Sequence, residues 1–396
     1  MERFNGTRAL PDQSRKCRCG QAFTARRPSE RVAGYDAPAL RIICPVSQRI
    51  PSKKAHDKLI VRTCAALARL GARVVLLAPD PLPSPELLRE HYGLPFLPPL
   101  ELVAIPATPR FLYRRRLVNR ARALDADAIY VSELKVGAAF EKKRGALGAP
   151  LFYEAHTLHR DPRESRLFAG VDAVLTTVET LASRIEEAHP ETAPIFVAPL
   201  ASGWEAELEI RPPSAEGGLH LGYVGQLYPL QGVDVLLEAL ALLPEFRMTI
   251  VGGKDLELEL LRARSRRLGL EERLTLKGYV EPSAVRSELE RMDVLLLPSR
   301  AQERMPFVAH TKAFEYMAMR RAIIAADLPS LREELSDAAI FVAPEDPISW
   351  SAAIRKIAED SGLALRLADS AFARARLFTW ENRAKAMLDA IAASSR

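Results

Sequence analysis

Two successive series of short, continuously apolar runs, separated by amphipathic stretches, constrain this chain more than any other feature. The first series is Leu40–Pro45, Arg73–Ala78, Leu102–Ile105, Ala128–Ser132, Leu151–His156, Ala173–Val178 and Ile195–Ala198. The second is Leu219–Val224, Arg247–Val251, Leu274–Leu276, Val294–Leu297, Ala322–Ala325 and Ile340–Val342. Runs that are apolar at consecutive positions predict strands buried on both faces, as in parallel sheets covered by helices. Helices are predicted over His56–Leu70, closed by Gly71, and near Val233–Leu243, Asp255–Leu268, Ser283–Met292, Thr311–Met319 and Pro347–Glu359. A proline pair and a glycine pair within Arg211–Gly218 break the pattern. The expected fold class is therefore α/β, with two doubly wound Rossmann-like domains facing across a cleft. The expected boundaries are 39–205 and 219–376, joined by a linker at 206–218. In such sheets ligands bind beyond the strand C-termini.

The 396 residues are 48% hydrophobic and 27% charged, the balance of a soluble globular protein. No apolar run approaches the roughly 20 residues of a membrane span, and no secretory signal is read at the N-terminus. Four cysteines in a chain this long suit a reducing compartment, so a cytoplasmic protein is expected. Residues 1–39 hold eight basic side chains against four acids, which supplies +4 of the formal +6. Residues 1–38 are read as a disordered basic leader, and Cys17 and Cys19 within it lack further ligands for a metal. Nucleic-acid binding would rest on this leader alone and is not expected. A second basic cluster, Arg110–Arg122, has six arginines and no acid among Phe111, Leu112, Tyr113, Leu117 and Val118. It reads either as a helix in peripheral contact with an anionic membrane or as a solvated helix packed on its own domain.

Chemistry is concentrated at the strand ends of the second half. A strand ends at Gly225, Gln226 opens a loop that holds Gln231, and a helix begins near Gly232. Glycines allow backbone N–H groups close to a ligand, and helix N-termini favour phosphate. Gly252 and Gly253 follow the next strand; Gly278, Tyr279 and Val280 follow the one after and could read a base edge with their backbone. Lys312 and Glu315, three apart, share one face of a helix. Glu315 can accept two hydrogen bonds from the vicinal hydroxyls of a ribose, while Lys312 lies nearer the phosphates. An exposed ion pair between them is the alternative.

As a set, these motifs resemble the nucleotide-sugar glycosyltransferases of two-Rossmann-domain (GT-B) architecture, in particular the retaining family 4, over roughly residues 40–392. The matching segments include Gly222–Asp234, Val251–Gly253, Lys277–Val280, Asp293–Ser299, Lys312–Ala318 and Phe378–Glu381. Looser ones are Ile50–His56 and Phe152–His156. The resemblance implies a retaining hexosyltransferase serving bacterial polysaccharide biosynthesis, with neither metal nor other cofactor required. The second domain would hold a nucleoside-diphosphate-sugar donor and the first a glycan or lipid-linked acceptor. Residues 377–396 would form a helix crossing back to the first domain. Glu315 would bind the ribose, and the backbone at Gly278–Val280 the base. The helix starts at Gly232 and Lys312 would lie near the diphosphate, with His156 on the transferred sugar.

The family usually carries an arginine and a lysine where this chain has Gln226 and Gln231. Arg300, Arg304 and Lys312 are expected to replace that charge. Phe307 stands where a second glutamate is common. These departures keep open a non-catalytic scaffold of the same fold; a sugar-nucleotide epimerase is the enzymatic alternative. Asp125-Ala-Asp127 precedes a strand, the wrong end of a sheet for a metal-bound substrate. A dehydrogenase glycine fingerprint and a P-loop are absent from the sequence.

Overall fold

The computed structural model describes residues 40–52, 55–94, 100–203, 218–302 and 304–394. The leader with Cys17 and Cys19, and the linker apart from Gly218, lie outside the described residues. The first sheet comprises β1 (Arg41–Pro45), β2 (Arg73–Pro79), β3 (Glu101–Ile105), β4 (Ala128–Val131), β5 (Leu151–Ala155), β6 (Ala173–Thr176) and β7 (Ile195–Val197). The second comprises β8 (His220–Val224), β9 (Arg247–Val251), β10 (Leu274–Lys277), β11 (Val294–Leu297), β12 (Ala322–Ala326) and β13 (Ile340–Val342). Their orders are β3-β2-β1-β4-β5-β6-β7 and β10-β9-β8-β11-β12-β13, with parallel pairing throughout. Each order reverses once, between β1 and β4 and between β8 and β11. Those two switch points open the crevices where a doubly wound sheet takes its ligand.

Helices of the first half are α1 (Ala55–Arg69), α2 (Pro85–Tyr92), α3 (Arg110–Arg122), α4 (Leu134–Glu141), α5 (Pro162–Gly170) and α6 (Glu179–Ala188). The second half has α7 (Val233–Ala241), α8 (Asp255–Leu268), α9 (Val285–Leu289), α10 (Thr311–Ala318) and α11 (Pro329–Leu335). It ends with α12 (Pro347–Glu359), α13 (Ser361–Ala375) and α14 (Trp380–Ser394). Strand residues such as Ile42, Leu76 and Tyr130 face one layer, and Ile43, Leu77 and Ile129 the other. This double burial is why the strands read as unbroken apolar runs.

The last helix returns to the first sheet. Ala384, Met387, Leu388 and Ile391 of α14 join Ile60, Val61, Cys64 and Leu67 of α1 in one core cluster. A second crossing link comes from α11. The N-cap residue of α6, Val178, offers no side-chain hydrogen bond. Glu333 caps the helix instead, accepting from the Glu179 and Thr180 backbone N–H groups at 2.6 and 2.9 Å and from the Thr180 hydroxyl at 2.5 Å.

On α3, Tyr113, Leu117, Val118 and Ala121 are buried, and the Tyr113 hydroxyl donates to the Val46 carbonyl. Arg110, Arg114, Arg115 and Arg120 remain exposed, as does Phe111 at 77%. The packed-helix reading thus holds for one face and leaves the other basic. Asp127 accepts the Arg41 backbone N–H at 2.7 Å, at the N-terminal edge of the sheet, away from the crevice. No helix among the described residues is long and apolar enough to cross a membrane.

Candidate functional site

The second sheet builds its crevice from backbone that, at Gly232 and Gly252, leaves no room for a side chain. Gly232 ends a short 3-10 turn, Pro229–Gln231, with φ +67° and caps the start of α7. A Cβ there would stand 2.0 Å from the Pro298 carbonyl oxygen, beyond the end of β11. Gly252, at φ +116°, would put a Cβ 2.1 Å from the Gly225 carbonyl oxygen. Its N–H is directed instead to the carbonyls of Lys277 and Gly278. The three strand-end turns at Gly225, Gly252 and Gly278 thus form one continuous backbone wall. Tyr279 beside it is 40% exposed, and Val280 packs partly on the core.

Lys312 and Glu315 take different partners. The Lys312 ammonium donates to Gln231 Oε1 at 2.5 Å and lies 5.4 Å from the centre of the Tyr223 ring. Burial lowers its pKa to about 8, against the opposing pull of Glu315 and Glu334. Gln231 therefore holds the lysine of α10 at the switch point. Tyr223 also donates its hydroxyl to the Gln226 carbonyl at 2.5 Å, which fixes that loop. Arg300 does not supply the expected replacement charge. Its Nη2 donates to both oxygens of Asp234, at 2.7 and 2.8 Å, and its Nη1 to Glu345 at 3.2 Å. Asp234 sits in the first turn of α7, and two carboxylate partners leave the guanidinium little positive charge for another anion. Arg304 is exposed, beside the 3-10 turn Met305–Phe307.

The facing wall comes from the first sheet. His156 follows β5, with its ring centre 5.4 Å from that of His56 in an edge-to-face arrangement. Burial brings the His156 pKa down to about 4, although Glu154 works against it, so the imidazole is neutral at pH 7. Its Nε2 lies 3.7 Å from Glu154 Oε2. Glu154 is fully buried and receives the Arg383 guanidinium at 2.5 Å and the Tyr130 hydroxyl. Burial would raise this carboxyl, but Arg383, His156 and Tyr130 outweigh it and hold the pKa at about 2. Arg383 also donates to the Thr63 hydroxyl at 3.1 Å and to the Ala198 carbonyl. A paired charge thus lies directly beneath the neutral histidine.

Between the walls is a cavity of about 200 Å³, lined by His56, Lys58, His156, Thr311, Glu315 and Trp380 among others. Two of these join across it: the Lys58 ammonium donates to Glu315 Oε1 at 2.8 Å. Glu315 and His156 therefore line one cavity, and Lys312 approaches from the glycine wall. Sequence reasoning missed Lys58, Arg383 and the cap from Glu333, for which the sequence carries no local signal. Glu154 had one. It stands two positions before His156, so both fall on the same side of a strand.

Residues 218–360 match the family model described as Glycosyl transferases group 1. The D-inositol 3-phosphate glycosyltransferase of Xylanimonas cellulosilytica is 30% identical over 180 residues, covering 44% of this chain and 42% of that protein. Its counterpart from Segniliparus rotundus is 25% identical over 284 residues, covering 63% and 62%. The chain thus spans between about two fifths and three fifths of these relatives' length. Among solved structures, Anabaena HepE in complex with UDP superimposes with a TM-score of 0.70 at 17% identity, covering 89% of this chain and all of that one. Sucrose-phosphate synthase from Thermosynechococcus elongatus gives 0.70 at 17% identity, covering 88% and 98%. The chain therefore has the GT-B fold of two facing Rossmann-like units, and its residues 218–360 are similar to the group 1 glycosyl transferases.

Proposed function

We propose that this protein is a metal-independent, retaining hexosyltransferase that moves a sugar from a nucleoside-diphosphate-sugar donor to a glycan or lipid-linked acceptor. The observation that carries the reading is the position of Glu315, a carboxylate on α10 that faces the cavity beside the glycine wall. A carboxylate there suits the two hydroxyls of a ribose. The backbone at Gly278–Val280 would take the base, with Tyr279 alongside. Gly225, Gln226, Gln231 and Gly252 would surround the diphosphate near the start of α7 at Gly232, with Arg304 at the rim. As the bond to the sugar breaks, negative charge grows on the diphosphate and positive charge on the sugar ring. Lys312 and the N-terminal ends of α7 and α10 would stabilise the departing diphosphate. His156, neutral at pH 7, would hydrogen-bond the transferred sugar without adding positive charge beside the cationic ring. Support for a nucleotide-sugar donor also comes from Anabaena HepE, solved in complex with UDP-glucose. The basic face of α3 would bring the protein to an anionic membrane on the cytoplasmic side, where a lipid-linked acceptor resides.

The test is a thermal-shift panel of UDP, GDP, ADP, CDP and their sugars on the wild type and Glu315→Ala. A ligand at about 100 times its Kd stabilises by roughly 2.7 kcal/mol, a shift of about 2 °C or more. One stabilising nucleotide, lost in the variant, supports the donor site and names its base. No response from any of them would turn the reading to a non-catalytic scaffold. Sugar nucleotide converted in the absence of acceptor would turn it to an epimerase.

A further inference from the structure

We propose, building on the donor site just described, that Lys58 is the cation the first domain supplies to the donor diphosphate, and that donor binding transfers it there from Glu315. The two side chains meet at 2.8 Å with 24% and 15% exposure, each on the opposite wall of the cavity. Among the described residues lining the cavity, Lys58 is the lysine or arginine present. Of the second domain's cations, Arg304 stands at the rim and Arg300 is neutralised by its own carboxylates, which leaves Lys312 to meet the diphosphate from that side. Lys312 is held by Gln231 and the Tyr223 ring, and Arg300 by Asp234 and Glu345.

A ribose that takes both oxygens of Glu315 must displace the ammonium. Lys58 would then be a poorly solvated charge without a partner, which is unfavourable unless another anion replaces the first. A diphosphate arriving in the same cavity is that anion, and the flexible four-carbon stem of lysine lets the ammonium follow it. The exchange separates two classes of ligand. A nucleoside displaces Lys58 and returns nothing, whereas a nucleoside diphosphate displaces it and then pairs with it. Glu315 and Lys58 together would thus select for the charged ligand even with glutamines at 226 and 231.

The experiment compares wild type, Lys58→Met, Lys58→Gln and Lys58→Arg. Each is titrated by calorimetry with UDP, GDP, ADP and CDP, and by ligand-observed NMR with uridine, guanosine, adenosine and cytidine. The Met and Gln variants are expected to bind the cognate diphosphate about tenfold more weakly, the scale of one charge-assisted contact. They should bind the cognate nucleoside at least as well as wild type, and Lys58→Arg should recover most of the diphosphate affinity. Equal loss for nucleoside and diphosphate would assign Lys58 a structural role and overturn the proposal. So would diphosphate affinity unchanged in both neutral variants. A wild type that binds no nucleotide at all would remove the donor site itself, and the proposal with it.

Discussion

Arg383 Nη2 lies 2.5 Å from Glu154 Oε1, with both side chains fully buried and the two residues 229 positions apart in the chain. The pair fastens the first turn of α14 under the end of β5, two positions from His156. A buried pair of this kind is defined by what its partners satisfy. Tyr130, Thr63 and the Ala198 carbonyl take up the remaining hydrogen bonds. The histidine at the cavity and the last helix of the chain therefore share one support.

Arg383→Met should destabilise the fold by about 3–5 kcal/mol, because it leaves the Glu154 carboxylate buried and uncompensated. Arg383→Met combined with Glu154→Gln should recover a substantial part of that loss. Urea unfolding of the single and double variants measures both. A single variant as stable as wild type would mean that water reaches Glu154.

Gly252→Ala should be far more damaging than Gly269→Ala. Both glycines have positive φ, but a Cβ at 252 meets the Gly225 carbonyl oxygen at 2.1 Å, whereas at 269 nothing lies within 4 Å. The left-handed conformation alone costs about 1–3 kcal/mol for a residue with a side chain. At 252 the backbone of the glycine wall must move as well, so donor binding should be lost along with stability. Melting temperatures and UDP or GDP titrations of the two variants supply the comparison.

Donor affinity should fall as pH rises through about 8, since Lys312 loses its charge there in the empty protein. Bound diphosphate favours the charged lysine, so protons are taken up on binding above that pH. Lys312→Gln should bind more weakly and show a flatter pH profile between about 7 and 9. A wild-type profile that is flat over the same interval would remove Lys312 from the diphosphate.

The fold should lose stability as pH falls below about 6.5. His156 is held at about 4 and His310 at about 3 by burial, both below an unfolded histidine. From the unfolded value down to these folded values, the unfolded chain binds more protons, so acid favours it. His156→Gln should reduce the slope of stability against pH in this interval, as read from chemical denaturation at pH 4.5, 5.5 and 7.

Vesicles of anionic lipid should retain the protein in a sedimentation assay, and Phe111→Ser with Arg114→Glu should release it. Neutral vesicles should retain neither form. The arginines of α3 provide long-range attraction, and Phe111 provides buried apolar area. Equal binding of the wild type to neutral vesicles would contradict the electrostatic part.

The strands were legible almost residue for residue, because a parallel sheet covered on both faces demands unbroken apolar runs such as Val294–Leu297. Helices were less so. The predicted Ser283–Met292 helix begins as a 3-10 turn, Pro282–Ala284, before α9 starts at Val285. The helix α13 went unread, since Asp360 closes α12 and caps α13 with no turn residue between them. At the site, Gly252 and Glu315 could be found by their places after a strand and on a helix. The engagement of Arg300 by Asp234 could not, because the two are 66 residues apart and meet only through the order of β8 and β11. Lys58 is still further from Glu315, at 257 positions.

The cap that Glu333 places on α6 makes the start of a helix in one half depend on a side chain of the other. If the halves part, the amides of Glu179 and Thr180 pass from carboxylate to water and the first turn of α6 frays. Hydrogen exchange at those two amides thus becomes a clock for the separation of the halves. Any ligand that holds the halves together would slow it without touching α6.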